Sequence, residues 1–108
     1  MTETGTSGWV TVARVGEIPE GGRKIVRIGD QAIGVFHLDG RYCAIEDVCT
    51  HDGGPLAEGF VEGGTIECPR HGAKFDLRSG AALTLPAVVP VPTFEVRVEG
   101  EEIQVGWA

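Results

Sequence analysis

Apolar and polar residues alternate along most of this chain with a period of two. No stretch sustains the 3.6-residue period of a helix, so the pattern predicts an all-β fold. Trp9 to Val15 alternates as a first strand, after a polar stretch, Met1 to Gly8, that reads as a mobile tail. Pro19, Gly21 and Gly22 make Glu17 to Gly22 a loop. Arg23 to Ile28 and Gln31 to Leu38 follow as strands joined at Gly29-Asp30. Asp39-Gly40 is a two-residue hairpin signal, since a type I′ turn needs positive φ at both positions. Arg41 to Glu46 then returns as a fourth strand. Leu56 to Gly64 is broken by glycines and has room for a short turn or strand. Thr65 to Glu67 and Lys74 to Leu77 are short strands, with Arg78-Ser79-Gly80 turning Ala81 to Leu85 back to pair with the second. Pro86, Pro90 and Pro92 exclude a central strand there. Phe94, Val96 and Val98 alternate with Glu95, Arg97 and Glu99, and Gly100 turns into a last strand. On that strand Ile103, Val105 and Trp107 share one side, opposite Glu102 and Gln104.

The predicted architecture is a β-sandwich or partly open barrel built from both ends of the chain. Residues 1–108 form a single domain, with a base from 9–43 and 86–107. A segment from about Ala44 to Leu85 is inserted between the two and carries two loops.

Composition narrows the picture. Seventeen glycines in 108 residues are more than twice the usual share and favour turns over helices. The chain contains no apolar run near the roughly 20 residues of a membrane span. Met1 to Gly8 lacks the basic and apolar regions of a secretory signal, which predicts a cytoplasmic protein. The formal net charge of −7 is the opposite of what a nucleic-acid binder carries. It suits docking to basic patches on partner proteins. Three cysteines are an odd number. If two are ligands, only Cys43 remains and no disulfide pair is left, as a reducing compartment requires.

The candidate chemistry lies between Cys49 and His71. Sixteen residues separate Cys49-Thr50-His51 from Cys68-Pro69-Arg70-His71. Each segment offers a thiol and an imidazole at a spacing that lets both turn the same way from one loop. Two such loops, tip to tip, present two sulfurs and two nitrogens, which suits one tetrahedral metal or a two-iron cluster. Structural zinc sites usually put one ligand type on each arm. Here each arm carries both, which favours a cluster with Cys49 and Cys68 on the inner iron and His51 and His71 on the outer one.

These residues closely resemble the cluster loops of Rieske proteins. Cys49-Thr50-His51-Asp52-Gly53-Gly54-Pro55-Leu56 is similar to the first loop. Cys68-Pro69-Arg70-His71-Gly72-Ala73-Lys74-Phe75-Asp76, followed by Ser79-Gly80, is similar to the second loop and its outgoing strand. The resemblance extends more weakly over nearly the whole chain, whose length and β-rich pattern are those of small bacterial Rieske ferredoxins. It implies one Rieske [2Fe–2S] cluster per chain, held by Cys49, His51, Cys68 and His71. It also implies a one-electron carrier with no substrate chemistry of its own. Such a carrier takes electrons from an NAD(P)H-dependent flavin reductase and passes them to a terminal Rieske-type oxygenase. Docking to both partners is expected near His51 and His71, and the carrier is expected to be a monomer. Two other readings compete: the small Rieske subunit of an assimilatory nitrite reductase, and a zinc-stabilised interaction module.

Two departures from the high-potential members of the family bear on the potential. Those members carry a disulfide between the loops, and the matching positions here are Gly54 and Arg70. They also place a serine and a tyrosine hydroxyl near the cluster sulfurs, where this chain has Ala73 and Phe75. Without those donors the reduced cluster is less stable, so the expected potential is low, roughly −150 mV.

The remaining polar residues carry weaker signals. Gly53, Gly54 and Gly72 serve either close backbone approach to an anion or simple turn geometry. Pro55 and Pro69 either stiffen the loops or merely punctuate them. Cys43 reads as a small buried hydrophobe facing the same way as Ile45. His37 has no second ligand at matching spacing and is assigned no chemistry. Asp47, Asp52, Glu58, Glu62 and Glu67 form a solvated face with docking potential, and Arg70 and Lys74 flank His71 as possible partner contacts.

Overall fold

A computed structural model describes residues 8–50, 53–70 and 72–107, with Trp107 described by its backbone only. The first seven residues, and with them most of the expected tail, lie outside the described set. Gly8 does not belong to a tail: it opens β1 and pairs with Trp107.

Ten strands are present among the described residues: β1 (Gly8–Arg14), β2 (Arg23–Ile28), β3 (Gln31–Leu38), β4 (Arg41–Glu46), β5 (Phe60–Glu62), β6 (Thr65–Glu67), β7 (Lys74–Asp76), β8 (Thr93–Phe94), β9 (Val96–Glu99) and β10 (Glu102–Trp107). They form three antiparallel sheets, ordered β1-β10-β9, β2-β3-β4-β8 and β5-β6-β7. No α-helix occurs among the described residues, so none is long and apolar enough to cross a membrane.

The turn chemistry is as the residues require. Asp39 and Gly40 take φ of +54° and +76°, the signs of a type I′ turn, and set Leu38 opposite Arg41. Gly29 alone is positive in the β2–β3 turn, as in type II′.

The β2-β3-β4-β8 sheet is covered on both faces, and β3 explains how. Ile33, Gly34, Val35 and Phe36 are four consecutive buried residues. Ile33 and Val35, with Ala44 of β4, pack against Val12, Ala13, Ile103 and Val105 of the terminal sheet. Phe36 and Ile45 point the other way, into a second core with Cys49, Leu56, Ala57, Ile66, Cys68 and Phe75. Burial of each large side chain in these cores contributes about 1.5–3 kcal/mol. Gly34 lets the second layer come close. A Cβ there would stand 2.7 Å from the Cβ of Ala57 and 3.0 Å from the Phe36 ring.

The structure departs from the period-two reading in several places. In β1 the register slips between Thr11 and Ala13, leaving Val12 as an extra residue. This bulge is why Val12 and Ala13 are both buried although adjacent. Val15 lies beyond the strand, in a turn, and the strand leaving the second loop ends at Asp76 rather than Leu77. The expected single strand through Phe94, Val96 and Val98 is two strands. Phe94 pairs with Ala44 in one sheet and Val96 with Val105 in another. Between them, the Glu95 carbonyl accepts the Gly106 N–H at 2.8 Å. Alternation persists through such a change of sheet because the side-chain period does not register which partner strand is used. Ala81 to Leu85 turns back to pair with β7 as expected, but without forming a named strand. It contributes one isolated bridge, Phe75 with Ala82, and a Leu83 N–H to Lys74 carbonyl bond of 2.8 Å. The glycine-broken stretch does contain a strand, β5.

Candidate metal centre

The two predicted ligand loops leave their strands in different ways and close identically. The first follows β4. There the Asp47 N–H bonds to the Ala32 carbonyl at 2.8 Å and ties the exit to β3. The second is the connection between β6 and β7. In the first loop the Cys49 N–H donates to the Gly54 carbonyl (2.7 Å) and the Gly53 N–H to the Cys49 carbonyl (2.6 Å). In the second the Cys68 N–H donates to the Ala73 carbonyl (2.7 Å) and the Gly72 N–H to the Cys68 carbonyl (3.0 Å). Each cysteine thus heads a turn closed by the residues four and five positions later.

Cys49 and Cys68 are 0% and 1% exposed and belong to the same buried core. Neither forms a disulfide. The structure therefore brings the two predicted sulfur ligands from separate loops into one water-poor environment. His51 and His71, with Asp52, lie outside the described residues.

Several contacts hold this layer on the rest of the fold. Asp47 Oδ1 accepts the N–H groups of Leu56 (2.7 Å) and Ala57 (2.6 Å), fastening the chain just after the first loop. Arg23 of β2 reaches across, its Nη1 donating to the carbonyls of Ala57 (2.6 Å) and Gly59 (2.7 Å), with its guanidinium 5.5 Å from the Phe36 ring centroid. Thr50 Oγ1 donates to the Val89 carbonyl at 2.6 Å, which fixes the proline-rich segment beside the first loop. On that segment Leu85, Val88 and Val89 are exposed. Arg70 Nη1 donates to the Pro55 carbonyl at 2.8 Å, crossing from the second loop to the first.

Asp47, Arg23, Thr50 and Arg70 are the site-building residues that sequence reasoning missed or placed elsewhere. Asp47 had been grouped with solvent-facing acids. Its position two residues before Cys49 was the available signal, since a short carboxylate at a loop entrance is suited to capping backbone N–H groups. For Arg23 no such local signal exists.

Ala73 and Phe75 are both fully buried, and both lie in the core that contains the two cysteines. Neither side chain has a proton to donate. Cys43 packs against the same core, and burial pushes its thiol above the ordinary range. It remains protonated at neutral pH, which agrees with a packing role rather than a ligand role. His37 is engaged elsewhere: Nδ1 lies 2.8 Å from the Ile18 carbonyl, and the ring stacks on Tyr42 at 4.3 Å.

Twin cysteine turns set on an all-β scaffold define a class of protein with two matched cysteine loops over one buried core. Residues 8–95 match the family described as the Rieske [2Fe-2S] domain, and the chain belongs to that family. It is 43% identical over 96 residues to the 3-phenylpropionate/cinnamic acid dioxygenase ferredoxin subunit of Photorhabdus laumondii subsp. laumondii, covering 87% of this chain and 90% of the relative. It is 32% identical over 100 residues to the ferredoxin component of the naphthalene 1,2-dioxygenase system of Pseudomonas aeruginosa, covering 93% and 96%. Among solved structures, a chain in the complex of reduced oxygenase and oxidized ferredoxin of carbazole 1,9a-dioxygenase superposes with a TM-score of 0.84. That chain is 35% identical, and the match covers 90% of this chain and 91% of its own length.

The cofactor of this family is one Rieske cluster, and the described residues fit it. The two buried thiols on matched turns would supply the sulfur side, and no disulfide competes for them.

Proposed function

We infer that this chain is a one-electron carrier, the Rieske ferredoxin component of a multicomponent oxygenase system. The observation that carries this reading is the pair of identically closed, buried cysteine turns. The chain around them is matched nearly end to end by ferredoxin components. The cluster, when bound, accepts and returns one electron, passing between a formally neutral and a singly negative state.

Cys49 and Cys68 are the thiolate ligands and His51 and His71 the imidazole ligands. The functional division follows: residues of about 44–85 carry the cluster, and 9–43 with 86–107 form the base. The core of Leu56, Ile66 and Phe75 excludes water from the sulfurs, and the braces from Asp47, Thr50 and Arg70 keep the loops from opening. Electrons arrive from a flavin-containing, NAD(P)H-oxidising reductase and leave to a terminal Rieske-type oxygenase. Both partners dock at the loop tips near His51 and His71, and Val88 and Val89 add apolar area beside the first loop. The carrier acts as a monomer in the cytoplasm. The acidic balance of the chain, −7 overall, suits basic partner surfaces. The relatives' roles favour this reading over a nitrite reductase subunit or a zinc module.

A redox titration followed by electron paramagnetic resonance tests it. A Rieske-type signal is expected at roughly −150 mV, the low end for such clusters, because Ala73 and Phe75 offer the sulfurs no hydroxyl donor. A colourless zinc-loaded protein would overturn the carrier role. A potential hundreds of millivolts higher would overturn the argument from Ala73 and Phe75 and point to a respiratory partner.

A further inference from the structure

We propose that Arg70 is a positioning residue that braces the two cluster loops together without a covalent bond, with Gly54 as its seat. The inference rests on the ligand loops assigned above and adds to them a device that sets how long the cluster is retained.

The geometry has two independent parts. Arg70 lies between Cys68 and His71, at the second loop, yet its Nη1 donates to the Pro55 carbonyl of the first, at 2.8 Å. The guanidinium also rests directly on Gly54. A Cβ built there would fall 2.7 Å from Cζ, 2.7 Å from Nη2 and 3.0 Å from Nε of Arg70. These are the three nearest atoms to that position. Gly54 is not among the residues with positive φ, so its backbone does not demand glycine. What demands it is the flat face of the guanidinium. Gly54 is also the residue whose carbonyl closes the first loop onto the Cys49 N–H. Arg70 therefore presses on the closing residue of one loop from the middle of the other. A planar guanidinium suits this role, since it both stacks and donates. A lysine ammonium would keep the charge but lose the stacking and the fixed fork.

Opening either loop to release iron must first break this contact. Losing it should accelerate cluster loss without changing the ligands or the fold. Arg70 is exposed, so its removal leaves no cavity. A methyl at Gly54 meets only the far end of a flexible side chain, which can swing away, so that variant also folds.

The experiment follows the decay of visible absorbance in cluster-loaded protein under a chelator. It compares the parent, Arg70→Ala, Arg70→Lys, Gly54→Ala and the double variant Gly54→Ala/Arg70→Ala. Arg70→Ala is expected to lose the cluster about five- to tenfold faster, the scale of one charge-assisted contact. Gly54→Ala should match it, and the double variant should be no faster than Arg70→Ala alone. Arg70→Lys should restore less than half of the lost lifetime on a logarithmic scale. A lifetime for Arg70→Ala within twofold of the parent would overturn the brace. Independent, multiplying effects in the double variant would do so as well. Should Arg70→Ala take up no cluster, Gly54→Ala decides: parent-like retention rejects the brace and rapid loss supports it. A parent lacking any Rieske spectrum would overturn the metal-centre reading itself, a failure plainly different from a normal parent with unaffected variants.

Discussion

Gly53 and Gly72 stand at equivalent points of two separate loops. Each follows its cysteine by four residues, donates its N–H to that cysteine's carbonyl, and takes a left-handed φ, +77° and +75°. Among the described residues, a Cβ at Gly53 would meet nothing within 4 Å, and one at Gly72 only Glu67 Oε2 at 3.5 Å. The demand for glycine at both is therefore conformational rather than steric. Replacing either with alanine should cost about 1–2 kcal/mol, and asparagine should cost less because it tolerates the left-handed region. Denaturant unfolding of the four single variants checks this. Because the two turns are alike, the two alanine variants should agree within about 0.5 kcal/mol, the scatter of ordinary surface changes.

Ligand identity predicts a qualitative result. Cys49→Ser and Cys68→Ser should each prevent stable cluster assembly, since an alcohol does not replace a thiolate toward iron. His71→Cys should yield either no cluster or one with the spectrum and lowered potential of a three-thiolate site. An unchanged visible and paramagnetic spectrum in any of the three would sink the assignment.

The absence of hydroxyl donors around the sulfurs can be reversed. Ala73→Ser and Phe75→Tyr introduce an O–H into the buried core that contains Cys49 and Cys68. A bond stronger by about 1.4 kcal/mol in the reduced state raises a one-electron potential by about 59 mV. Each variant should shift the titration midpoint upward by that order. A midpoint unmoved in both, with the cluster intact, would mean the hydroxyls do not reach sulfur.

Acid stability depends on carboxylates held by the fold. The Ser79 and Arg78 backbone N–H groups bond to Asp76 Oδ1 at 2.9 and 2.8 Å and hold its carboxyl below the usual range. The Gly40 N–H acts likewise on Glu20, and Lys24 on Glu17. A carboxyl with a lowered folded-state pKa binds fewer protons folded than unfolded. Its stabilisation is complete above the ordinary value of about 4 and is lost as pH falls through the folded one. Asp76→Ala should therefore cost about 0.5–1.5 kcal/mol at pH 7. The gap between variant and parent should shrink as the solution is acidified. Unfolding curves from pH 7 to about 2.5 span that window. A gap independent of pH would show that Asp76 stabilises its turn by shape alone.

Much of the fold was legible because local chemistry dictates it. Asp39-Gly40 can form its tight turn at little cost, and the alternation around it leaves the strands only one register that buries their apolar faces. The all-β class, nearly all strand positions and the loop segments carrying Cys49 and Cys68 follow from such short-range rules. The change of sheet at Glu95 was invisible because period-two alternation reports burial and not partnership. The bulge at Val12 was hidden because one extra residue leaves composition and spacing plausible. Arg23, Asp47 and Arg70 act on backbone groups 34, 9 and 15 residues away. Nothing near Arg23 or Arg70 in sequence identifies their targets. Arg70 in particular reads from sequence as a charge beside His71, with no sign of its contact to Gly54.

The pairing of β1 with β10 has a consequence for how the chain is made. Trp9 and Val10 find their ladder partners only at Gly106 and Val105. During synthesis, β2, β3 and β4 can zip as soon as they emerge, and both cysteine turns can close after them. β1 must wait until β10, some ninety residues later, has left the ribosome. Throughout that interval it is an unpaired apolar edge, open to other nascent chains. Rapid synthesis of β10, or a chaperone that covers the first strand, would then shorten that exposure.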